Sequence, residues 1–168
     1  MGIFDLFKKK EKVDTKSARL FDNLSVDNYL GLIIKESTIA EIKKALNSEG
    51  LSYKEFPVYG CKDEIDIAFQ HRIGGINWSC CLTTRNNVLK GVVLNIYSPN
   101  SYTIYQSLCK ELEERYSASH QISKRQNSHD GTETTCFTSK DDAWQFTEVE
   151  FDSSPILGQK NVYIRYFK

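Results

Sequence analysis

The sequence lacks any long apolar run. Among its 168 residues the best stretch is Leu30-Gly31-Leu32-Ile33-Ile34, far short of the ~20 residues that a membrane-spanning helix requires. It also lacks the basic-then-apolar order of an export signal, because Ile3, Phe4, Leu6 and Phe7 precede Lys8, Lys9 and Lys10. A surplus of either charge is missing. Lys and Arg number 22 against 22 Asp and Glu, which argues against a nucleic-acid partner, since phosphate binding concentrates cations on one face. The five cysteines, Cys61, Cys80, Cys81, Cys109 and Cys136, are odd in number and follow no framework spacing. They read as free thiols, and the expected location is cytoplasmic. There is no Gly-rich phosphate loop, dinucleotide fingerprint, nucleophile elbow, His-Glu-x-x-His or Cys-x-x-Cys, the arrangements through which a sequence most readily reveals catalysis. The expectation is a chain with no catalytic residue, no cofactor and no metal.

What is present suffices for a core. Hydrophobic residues make up 40% of the chain, and a chain of this size buries enough surface to fold without staples. Residues 1–19 differ in composition, with Lys8, Lys9, Lys10, Lys12, Lys16 and Arg19 against Asp5, Glu11 and Asp14. They read as a basic, flexible N-terminal arm before a single domain at 20–168. In a helical turn Ile3, Phe4 and Phe7 would cluster ahead of Lys8, Lys9 and Lys10, a candidate for weak contact with an anionic membrane surface. The myristoylation pattern fails at Leu6.

Two helices are legible. Thr38 and Glu41 have capping-box spacing, Ile39, Ile42 and Leu46 share a face, and Gly50 stops the run. Ser101 reads as the N-cap of a second helix, whose stripe is Tyr105, Leu108, Cys109, Leu112 and Tyr116. Elsewhere the period is two. Strands are expected at Glu64–Phe69, along Ile76, Trp78, Cys80 and Leu82, at Val88–Tyr97, Thr134–Thr138, Ala143–Phe151 and Asn161–Phe167, with turn chemistry at Arg85-Asn86-Asn87. Leu20 to Lys35 fits a strand or a helix turn equally. The fold class is α+β, an antiparallel sheet with two helices packed on one face. A shift of 66 residues takes Ile42 to Leu108, Leu46 to Leu112, Trp78 to Trp144, Ile96 to Val162 and Tyr97 to Tyr163. It suggests two related α-β-β-β half-units at 37–98 and 101–168.

On this pattern, Ile39–Leu46 then Trp78–Tyr97, and Tyr105–Leu112 then Trp144–Tyr166, the chain resembles at fold level the tandem helix-plus-antiparallel-sheet units of the beta-lactamase-inhibitor-protein type and of small outer-membrane-assembly lipoproteins. The resemblance spans residues 37–167. It implies presentation of a sheet face or loops to another protein, an adaptor or an inhibitor or immunity-like role. The chain differs from that group in having no export signal and no disulfide pair. The opening Met1–Lys10 resembles the start of many small bacterial proteins.

Candidate chemistry is sparse. Cys80 falls with Trp78 and Leu82 as a core residue, and Cys81 on the opposite side is the candidate reactive thiol. His71, His120 and His129 read as solvated or locally hydrogen-bonded, the last two in a polar 119–132 connection. Glu148 and Glu150 share a strand face about 7 Å apart, a separation known from glycoside chemistry and equally that of a half-solvated strand. Asp63, Glu64 and Asp66 read as a solvated edge. If Trp78 and Trp144 face the helices, the opposite face carries Tyr97, Tyr163, Arg165 and Phe167, with Val93, Asn95, Gln145 and Thr147. Tyrosine and arginine beside polar residues are common at protein interfaces. The expected function is therefore a non-enzymatic module that binds a protein partner through Tyr97, Tyr163, Arg165 and Phe167. A homodimer, a small thiol- or carboxylate-dependent enzyme, and a peripheral membrane-surface protein are the alternatives.

Overall fold

The computed structural model describes residues 19–153 and 160–168. Helix α1 (Ile39–Ser48) begins at the expected capping box. Thr38 Oγ1 accepts the Glu41 N–H, and the Glu41 carboxylate accepts the Thr38 N–H at 2.7 Å. Gly50, at φ 67°, supplies the left-handed turn that ends it. Four strands follow: β1 (Tyr53–Pro57), β2 (Glu64–Ile73), β3 (Ile76–Arg85) and β4 (Val88–Tyr97). Helix α2 (Ser101–Tyr116) precedes β5 (His120–Gln126), β6 (Glu133–Ser139), β7 (Phe146–Asp152) and β8 (Asn161–Phe167). The Asn86-Asn87 turn has φ of 51° and 65°, the positive values a tight β-hairpin needs.

All eight strands form one antiparallel sheet in the order β1-β2-β3-β4-β8-β7-β6-β5. The α+β class and antiparallel pairing are as expected. Each helix is followed by four strands rather than three, because β1 and β5 join the sheet as its edges. The order is symmetric about the β4–β8 pair, whose register runs from Val92 opposite Tyr166 to Tyr97 opposite Asn161. The 66-residue shift does not match equivalent positions throughout. Trp78 is fully buried on β3, whereas Trp144 lies in the turn before β7 and is 80% exposed. Tyr97 closes β4, while Tyr163 is near the start of β8.

One side of the sheet carries the core. Trp78, Leu82, Leu94, Phe137, Val149 and Ile164 are fully buried there with Ile42 and Leu46 of α1 and Leu108 and Leu112 of α2. Residues 19–37 complete this layer as an irregular strap, neither helix nor strand. Phe21, Leu24, Val26, Tyr29, Leu32 and Ile34 are its buried side chains. A strap inside a core must find partners for its backbone, and neighbouring side chains supply them. Arg115 donates to the carbonyls of Phe21 (2.8 Å) and Leu24, and the Glu111 carboxylate accepts the N–H groups of Leu20 and Phe21 at 2.9 Å each. Thr147 donates to Val26 O, Tyr166 to Ser25 O and Gln145 to Asp27 O, at 2.7, 2.7 and 2.8 Å.

Several sequence expectations are corrected. The strand expected at Ala143–Phe151 runs Phe146–Asp152, so Thr147, Val149 and Phe151 face the core and Trp144 does not. Thr147 and Gln145 therefore leave the opposite face and fasten the strap. The N-cap of α2 is Asn100; Ser101 is the first helical residue, buried, with its hydroxyl donating to the carbonyls of Ser98 and Lys160. His120 is not in a polar connection. It opens β5, buried, with Nε2 3.1 Å from the Asp27 carboxylate of the strap.

Candidate functional site

Two surfaces collect chemistry. The first is the sheet face opposite the helices, across which no other described element lies. Alternation places Val93, Asn95 and Tyr97 of β4 there with Tyr163, Arg165 and Phe167 of β8. Register then aligns them in rows. Val93 lies opposite Arg165 and Arg165 opposite Glu148; Asn95 lies opposite Tyr163 and Tyr163 opposite Glu150. Tyr97 is 60% exposed and Phe167 37%, whereas Tyr163 and Arg165 are half-buried by their neighbours. The Arg165 guanidinium sits 4.5 Å over the Tyr163 ring and its Nη1 is 3.1 Å from Glu150. Phe146 stacks on Phe167 with ring centres 4.6 Å apart, an aromatic pair the sequence did not suggest because β7 was set out of register.

Three carboxylates of this face are held by cations. Arg125 bonds Glu148 at 2.9 Å, Arg165 bonds Glu150, and Arg85 bonds Glu64 at 3.2 Å. Asp66 accepts a 2.6 Å hydrogen bond from Thr83. Glu148 and Glu150 are thus each paired with an arginine. Three of the thiols, Cys80, Cys81 and Cys109, are shifted away from the thiolate. Burial, then the nearby Asp66 charge, pushes the Cys81 thiol above its usual range. Burial also takes Cys80 and Cys109 to about 11 each, whereas a nucleophilic cysteine needs a lowered value. Among the described residues no three His, Cys, Asp or Glu side chains gather as a metal site, and no helix is long and apolar enough to cross a membrane. The membrane-surface candidates Ile3, Phe4, Phe7, Lys8, Lys9 and Lys10 lie outside the described residues.

The second surface is a cleft of about 500 Å³ between the strap and the β2–β3 hairpin. At its inner end the Tyr29 hydroxyl lies 2.6 Å from His71 Nδ1 and 3.5 Å from Cys80 Sγ. Desolvation raises the Tyr29 hydroxyl far above its ordinary value and lowers that of His71, so a neutral phenol meets a neutral imidazole. Nitrogen at 2.6 Å is a far better acceptor than sulfur at 3.5 Å. In the tautomer in which Tyr29 donates to Nδ1, the imidazole proton sits on Nε2. Sequence reasoning missed this cluster. The alternation of Ile65, Ile67 and Phe69 extended by one step would have placed His71 on the buried face; nothing in the strap's sequence signalled Tyr29. No protein-family model, curated protein or solved structure matches this chain.

Proposed function

We propose that the protein is a non-enzymatic binding module that presents the open face of its sheet to a protein partner. The observation that carries this reading is the face itself. It is a broad antiparallel surface with the core on its other side, and its central strands carry, from one end to the other, the Phe146–Phe167 stack, the Arg165–Tyr163 pair and the exposed Tyr97. Aromatic and arginine side chains dominate binding energy at protein interfaces because they give broad contact with few rotors to freeze. Three of its carboxylates are already ion-paired, so the partner recognised is one that meets aromatic rings and hydrogen-bonding groups rather than one drawn by net charge. An adaptor or inhibitor role, with the two helix-led halves as related units, rests on the fold-level resemblance alone. The five free thiols favour a reducing, cytoplasmic setting.

The test compares the full chain with Tyr97→Ala and Tyr163→Ala in capture from native lysate, read by quantitative mass spectrometry beside the melting temperature. The reading expects a stoichiometric protein retained by the wild type and reduced at least tenfold in both variants, with Tm nearly unchanged. No stoichiometric partner, or a partner held equally by both variants, overturns it.

A further inference from the structure

We propose that the cleft between the strap and the β2–β3 hairpin is a site for a small zwitterion, a free α-amino acid or a molecule carrying the same neighbouring ammonium and carboxylate. Its volume, about 500 Å³, lies within the range of small-molecule sites and exceeds what a single amino acid fills. The walls are polar, and their groups divide by charge.

For a carboxylate there are four donor residues. With Nδ1 accepting from Tyr29, the tautomer this site uses, His71 presents Nε2–H. That nitrogen has no hydrogen-bond partner among the described residues, and no enclosed side-chain nitrogen or oxygen there lacks one; Nε2 is therefore open to solvent, on a residue that lines the cleft. Asn28 spends its amide oxygen on the Gly31 N–H at 3.0 Å, leaving its NH₂ free to donate. Arg19 and Arg72, also in the wall, have no ion-pair partner among the described residues.

For an ammonium there is one acceptor. Glu49, at the C-terminal end of α1, lines the same cleft close enough for its charge to act on both His71 and Tyr29, and it too has no ion-pair partner among the described residues. The wall's other acid, Asp22, faces Arg115 at 4.0 Å. Two unpaired cations and a neutral N–H beside one unpaired anion complement a ligand that carries both signs, its carboxylate being the more heavily contacted end.

The wall is shaped by a tight turn: Leu30 and Gly31, at φ 55° and 72°, are its two corners, and the Leu32 N–H donates to the Tyr29 carbonyl at 3.0 Å to close it.

The test is ¹H–¹⁵N NMR titration of the full chain with each of the twenty standard amino acids, and with acetate and ethylammonium as half-ligands. The expected result is saturable shifts at the amides of Tyr29, Gly31 and Gly74 for at least one amino acid, with Kd at or below about 1 mM. Acetate, ethylammonium and the Glu49→Gln variant should each weaken binding by about tenfold or more, the size expected for loss of one charge-assisted hydrogen bond. Two results overturn the proposal: no saturable shift with any of the twenty, or acetate and Glu49→Gln binding as tightly as the intact pair.

Discussion

At the scale of single residues, the seat of the strap is Gly74. Its φ is +60°, and a Cβ built there would lie 2.7 Å from the Leu20 carbonyl oxygen and 2.9 Å from the Phe21 ring. Gly74→Ala therefore combines a disfavoured backbone with a close approach to backbone that cannot yield. The expected loss is about 2–3 kcal/mol, read as a Tm lower by roughly 5–10 °C. Gly91, in extended backbone with open space around it, is the control, and Gly91→Ala should stay within about 0.5 kcal/mol. His71 gives a pH signature. Burial lowers its folded value below the ordinary 6.5, against the opposing pull of Glu49. Below about pH 6.5 the unfolded chain then binds more protons than the folded one, so stability is fully present above that pH and declines as pH falls toward the folded value. Urea unfolding at pH 7.5 and 5.5 should show this decline, and His71→Gln should reduce it. An unchanged pH slope in the variant would place His71 in free solvent.

At the scale of elements, the strap is fastened by side chains rather than by a ladder. Arg115 and Glu111, one turn apart on α2, hold its first residues by donating to two carbonyls and accepting two N–H groups. The Arg115 side chain is only 13% exposed. Arg115→Ala should cost about 2–4 kcal/mol, since two buried carbonyls lose a charged donor. Native-state hydrogen exchange should then rise more at the Leu24 and Leu32 amides than at those of β3 and β4. The strap also marks where the sequence was hard to read. Capping and the 3.6 period made α1 and α2 legible, and two-residue alternation made β3, β4 and β8 legible, along with Tyr97, Tyr163, Arg165 and Phe167 on one face. β1 and β5 escaped because edge strands bury little. Only Tyr53 of β1 is even half-buried, and β5 has Ile122 as its one apolar residue, so neither shows an apolar rhythm. The strap escaped because its burial depends on partners 90 to 141 residues away in sequence. Trp144 misled for a related reason: a large aromatic suggests core, yet here its backbone N–H bonds the Asp142 carboxylate in an exposed turn.

For the molecule as a whole, two connections tie the halves together. β4 pairs with β8 through the middle of the sheet, and the strap reaches His71 on β2 as well as Thr147 on β7. One cooperative unfolding transition is expected. Far-UV circular dichroism should coincide with tryptophan fluorescence, whose change arises from the fully buried Trp78 because Trp144 is exposed in the native state. Two separated transitions would show the halves to be independent. The central position of β8 also sets an order in time. As the chain leaves the ribosome, β1 to β7 emerge before the strand that joins them, so β4 and β7 both wait with an unpaired edge lined by apolar residues. Contacts so distant in sequence form slowly, and waiting edges of this kind recruit other chains. Nascent chains are thus most exposed to aggregation just before residues 161–167 arrive, and the arrival of that short segment turns two open half-sheets into a single closed fold.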